Sequence, residues 1–138
     1  MKAEDAQVVL EGLRPQLSEC VAFVGMQDSR AYMRVEDRDD SDRWAAVYTP
    51  GQGYFSVQTE TTLTWDYVDD DASDEEVHAA LSRLVSLAVS YVLGEGEEMR
   101  SRRLGFPSLR LHDDEGTVTL KLPMEAGLAF ILRRFRRA

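Results

Sequence analysis

The chain offers few side chains whose type and spacing would support chemistry, namely two histidines and one cysteine among 138 residues. His112 precedes Asp113 and Asp114 in a hairpin-like D-D-E-G, where a carboxylate could orient its ring for proton transfer. No Ser or Cys nucleophile stands near it in sequence. Cys20 would serve as one only if His112 approached it in space, and a lone cysteine is more often a small buried hydrophobe. His78 falls one step off an apolar helical stripe, a position that fits a partly exposed structural residue better than a catalytic one.

Metal chemistry would need acid at ligand spacing. Acid is concentrated at Glu36–Asp42 (E-D-R-D-D-S-D) and Asp66–Glu76 (D-Y-V-D-D-D-A-S-D-E-E). The first run opens like a calcium loop at Asp37, Asp39 and Ser41, but Trp44 follows, and the required Gly and closing Glu are missing. The second is explained by helix capping and a solvated loop. G-Q-G and G-E-G lack the spacing and the following Lys-Ser/Thr of a phosphate loop. No carboxylate pair for glycoside chemistry singles itself out. The expectation is a non-enzymatic protein using no metal or cofactor. A small enzyme or metal-dependent regulator built on His112 and the acidic runs is the second class.

The elements that must position these residues are clearer. Ser73 to Gly94 has the strongest helix signal: Ser73 and Glu76 form a capping box, Asp74 to Glu76 complement the dipole, and Gly94 supplies the stop. Val77, Ala80, Leu81, Leu84, Ala88, Tyr91 and Val92 form its apolar face. Near the N-terminus Ala6, Val9, Leu10, Leu13 and Leu17 predict a short amphipathic helix that Pro15 ends near Leu13 or Arg14. C-V-A-F-V-G reads either as a strand or as a run into the next turn. Ala31–Glu36, Arg43–Thr49, Tyr54–Gln58 and Leu63–Val68 predict an antiparallel meander. After a loop at E-G-E-E, strands are expected at Met99–Leu104, Ser108–His112 and Thr117–Leu122. Gly116 serves the last hairpin, and Pro107 belongs at an edge or at a strand's first residue. Beyond Pro123, Leu128, Ile131, Leu132 and Phe135 predict a C-terminal helix. The fold class is α+β: one domain over 1–138, an antiparallel meander sheet with a long central helix and terminal helices packed on it.

The net charge of −9 argues against nucleic acid, whose binding is driven by Lys and Arg. Four arginines crowd the last six positions, so the body is more acidic still. No apolar run is long enough for a bilayer, and acids stand where a signal peptide would be apolar, so a cytoplasmic protein without membrane contact is expected. Trp44, Tyr48, Tyr54, Phe55, Trp65 and Tyr67 outnumber what one sheet face buries. Either terminal helices cover the remainder, or some are interface anchors. Acidic runs flank the same strands, which suits a basic protein partner. The expected partner site is Asp39, Asp40, Trp44, Tyr54, Trp65, Asp69, Asp70 and Asp71.

G-Y-F-S-V-Q (Gly53–Gln58), L-T-W-D-Y and the S-D-E-E-V helix ending Y-V-L-G resemble immunity proteins of bacterial polymorphic-toxin systems over residues 43–94. That resemblance implies a dedicated inhibitor that occludes a cognate toxin's active site. The order helix, strands, long helix, strands, helix is also similar to the type III secretion chaperone-like fold and its sensory-regulator relatives. This second resemblance implies a homodimer that holds a client protein.

Overall fold

The computed structural model describes residues 1–15 and 18–123. In chain order it comprises α1 (Ala3–Gly12), β1 (Cys20–Gln27), β2 (Arg30–Asp37), β3 (Trp44–Gly51), β4 (Tyr54–Thr59) and β5 (Thr64–Val68). These are followed by α2 (Asp74–Val92), β6 (Glu97–Arg100), β7 (Pro107–Asp113) and β8 (Gly116–Lys121). The strands form one antiparallel sheet in the order β1-β2-β3-β4-β5-β8-β7-β6. The C-terminal helix expected after Pro123, like Leu17 of the first stripe, lies outside the described residues.

Alternation along the meander strands separates two faces. Ala31, Met33 and Val35 of β2 stand opposite Thr49, Val47 and Ala45 of β3, and Val47 opposite Val57 of β4. All are buried. Leu109 and Leu111 of β7 pair with Leu120 and Val118 of β8 to extend this apolar surface. Both helices pack on it: α1 against β1, β2 and β3, α2 against β2, β3, β4 and β7, with a contact between the helices.

α2 forms for the local reasons its sequence announces. Ser73 Oγ accepts from the Glu76 amide at 3.2 Å, and the Glu76 carboxylate accepts from the Ser73 amide at 3.2 Å. Val77, Leu81, Leu84, Val85, Leu87, Ala88, Tyr91 and Val92 are buried, each worth about 1.5–3 kcal/mol of burial for the larger side chains. Gly94 takes a φ of +89° just past the helix. The Arg43 guanidinium closes the same end from outside, donating to the Tyr91 carbonyl at 2.6 Å and the Val92 carbonyl at 3.3 Å. It also lies 4.4 Å from the Tyr91 ring centroid.

The structure decides one open reading, moves one expected strand and puts both described helices on one face. C-V-A-F-V-G becomes a full strand, β1, which makes the meander five strands long. The strand expected at Met99–Leu104 lies earlier, taking Glu97 and Glu98 from the expected loop. It stops at Arg100 because Ser101 Oγ accepts from the Phe106 amide at 2.9 Å, turning the chain so that Pro107 opens β7 opposite Arg100. Finally, α1 joins α2 on one face of the sheet, so among the described residues no helix covers the opposite face.

Candidate functional site

The predicted partner residues do not converge. Trp44 and Tyr54 point to the uncovered face; Trp65, opposite Val57, points to the helix-covered one. Asp39 and Asp40 sit in the β2–β3 turn, Asp69, Asp70 and Asp71 in the β5–α2 loop at the other end of the sheet, roughly 20 Å away along six-residue strands. The first acidic run is mostly turn chemistry. The Asp37 carboxylate accepts from the Asp39 amide at 2.9 Å, and that of Asp40 accepts from the Asp42 amide at 3.1 Å.

On the face opposite the helices Trp44 and Tyr48 lie against arginine, and Glu36 stands opposite Trp44. The Arg34 guanidinium lies 4.4 Å from the Trp44 ring centroid and that of Arg30 4.9 Å from Tyr48. Glu36 holds Arg34 Nε at 2.8 Å. Ala46, between Arg34 and Gln58 on this face, is fully buried. Tyr54 lies beside Asp66; burial first, then this carboxylate, raises its phenol pKa and keeps it neutral. Acid and arginine are thus mixed around the aromatic residues of this face.

Rings and acid also meet on the helix-covered face. The β5–β8 ladder consists of one pair, Thr64 with Lys121, and does not continue beyond it. A cleft of about 250 Å³ opens there under the first half of α2. Its floor is a row of rings: Phe55 and Tyr67 stack at 5.9 Å, and Trp65 and Tyr67 at 5.9 Å. Ala79 and Ala80 face them from the helix, and their short side chains leave the space open. Asp69, Glu76 and Glu115 line the rim with Arg83.

Each rim group is held in place. The Asp69 amide donates to the Gly53 carbonyl at 2.7 Å, tying the β5–α2 loop to the β3–β4 turn. Glu76 is fixed by the capping box. Arg83 makes a two-pronged pair with Asp113, Nε to Oδ2 at 2.7 Å and Nη2 to Oδ1 at 3.2 Å, and also meets Glu115 at 3.2 Å. The Arg83 bond holds the Asp113 carboxyl below its usual range and raises Arg83 in turn. Since Arg83 is already committed to two carboxylates, the rim is net negative. Three stacked rings under a carboxylate rim suit a cation on a flat or aliphatic stem, a partner's Arg or Lys.

Of the expected partner residues Trp65 and Asp69 line this cleft; Tyr67 counted only among the meander's aromatic residues, and Glu76, Arg83 and Glu115 were not expected at a site. Glu76, Ala80 and Arg83 share a helical stripe that was readable; Glu115 comes from a distant hairpin and was not.

Cys20 and His112, candidates for a nucleophile and its partner, are not brought together. Cys20 and His112 lie on strands six places apart in the sheet, roughly 30 Å at the usual strand spacing. Cys20 is buried, and burial raises its thiol pKa. His112 bonds Thr117 Oγ1 at 2.9 Å and meets Glu97 at 3.6 Å, rather than the adjacent Asp113 that serves Arg83. Among the described residues no group of three or more His, Cys, Asp or Glu side chains is placed to hold a metal ion. No helix among them is long and apolar enough to cross a membrane. Comparison with protein-family models, with curated proteins and with solved structures gave no match in any of the three.

Proposed function

We propose that this chain is a non-catalytic protein-binding protein that grips a basic partner, acting as an immunity protein that neutralises a toxin by covering its active site. The observation that carries this reading is the cleft, with its rings under Asp69, Glu76 and Glu115. A basic side chain of the partner enters it, its stem on Trp65 and Tyr67 and its charge against the carboxylates. Asp70 and Asp71 extend the acid beyond the rim, and the overall charge of −9 steers the approach. Charge pairing at a half-open rim weakens as salt rises.

The test is affinity capture from extracts of the producing cell at low and then high salt, beside a variant carrying Asp69→Asn and Glu115→Gln. One folded, basic, toxic protein is expected, bound one to one, lost at high salt and lost by the variant. Capture indifferent to the double substitution sinks this reading. Recovery of extended, unfolded clients in place of a folded basic protein replaces it with the secretion-chaperone-like alternative.

A further inference from the structure

The two edges of the sheet are built differently. β6, at one edge, has four residues, E-E-M-R, all exposed, three of them charged. That is how soluble proteins keep an edge from pairing: short and charged. β1, at the other, has eight residues, C-V-A-F-V-G-M-Q, with neither a charge nor a proline. It pairs with β2 along its whole length, and among the described residues its outer edge pairs with nothing. Phe23 is 48% exposed and Met26 39%. A long, uncharged, apolar edge left open is a template for another strand.

We infer that β1 is the interface of a homodimer, in which the β1 strands of two copies pair antiparallel about a two-fold axis normal to the sheet. Charge selects this occupant. A chain of net charge −9 repels its own copy over most of its surface, and β1 offers an uncharged strip whose outer edge pairs with no other described strand. A basic partner finds no acid on the strand to recognise. The strand also fits itself. Centred on Phe23, the pairing sets the two Phe23 rings opposite each other, Val21 opposite Gly25, and Glu19 opposite Gln27, so no like charges face directly. At Gly25 a Cβ would stand 3.0 Å from the Tyr32 hydroxyl. Glycine there lets the Tyr32 ring reach across β1 towards the boundary, beside Val21 of the other copy. The cleft lies beyond β4 and stays open in such a dimer, so this interface does not depend on the function proposed for it.

Sedimentation of the full chain across a range of concentrations tests the interface, with Phe23→Lys as the disrupting variant and Met99→Lys, on the β6 edge, as the control. Phe23 is half exposed in the monomer, so the fold survives the change, and an unaltered circular dichroism spectrum verifies this. The wild type and Met99→Lys are expected to dimerise, with Phe23→Lys raising the dissociation constant by at least an order of magnitude. Amide exchange along β1 should slow as concentration rises. A wild type that stays monomeric at all concentrations overturns the inference, as does a dimer that Met99→Lys dissolves and Phe23→Lys does not. Concentration-independent protection of β1 in a monomer also overturns it, showing that the chain's own residues cover the edge.

Discussion

A Cβ placed on Gly53 would stand 1.9 Å from the carbonyl oxygen of Asp69, and the residue's φ of +78° is one that L side chains rarely adopt. Backbone and steric requirements coincide there, because the β3–β4 turn and the β5–α2 loop touch through their main chains. Gly53→Ala is therefore expected to cost more than about 2 kcal/mol in denaturant unfolding and to loosen the loop that carries Asp69. Gly12 provides the contrast. It closes α1, and a methyl group added there would meet nothing within 4 Å, so Gly12→Ala should be neutral or stabilise by up to about 1 kcal/mol. The two glycines look equally ordinary in the sequence. Their difference arises from one contact, between Gly53 and a residue sixteen positions on.

At the scale of elements, α2 is finished at its two ends by different means. Its start is local, a Ser73 and Glu76 capping box; its finish is remote, with Arg43 donating to the Tyr91 and Val92 carbonyls. Ser73→Ala should cost about 1 kcal/mol. Arg43→Met should cost about 1–2 kcal/mol, since it strips hydrogen bonds from a cation to carbonyls at the negative end of the helix. The ends of a 19-residue helix are roughly 28 Å apart, so the double variant should lose the sum of the two, as unfolding midpoints will show. The same division explains what the sequence revealed. The cap, the stripe, Gly94 and the meander hairpins were legible because their partners are near in the chain. β1 was ambiguous because C-V-A-F-V-G has no period, and β6 was misplaced because E-E-M-R carries no strand signal. Half of the cleft escaped because Trp65, Arg83 and Glu115 meet only through the pairing of β5 with β8.

At the scale of the whole molecule, the sheet consists of two blocks, β1 to β5 and β6 to β8, joined within the sheet at Thr64 and Lys121. α2 spans them, and its Arg83 fastens to Asp113 in the second block. Asp113 has its carboxyl lowered from 3.8, chiefly by that bond. A lowered carboxylate stabilises the fold fully above 3.8 and loses that contribution as pH falls through the folded value. Arg83→Gln should thus cost about 1–2 kcal/mol at neutral pH, and the gap from wild type should narrow below pH 3.8, as acid titrations of both proteins will reveal. Arg83 also lines the cleft, so the fastening between the blocks and the shape of the cleft are lost together.

The seam between the blocks also orders events in time. Each meander hairpin closes over a short turn, whereas joining Thr64 to Lys121 closes a loop that holds α2, β6 and β7. Loop closure of that size is the slower step. The meander zips early and the seam shuts late, so a nascent chain has an intact sheet edge at β1 before it has a cleft. In the dimer inferred above, copies would meet at β1 before the cleft has formed.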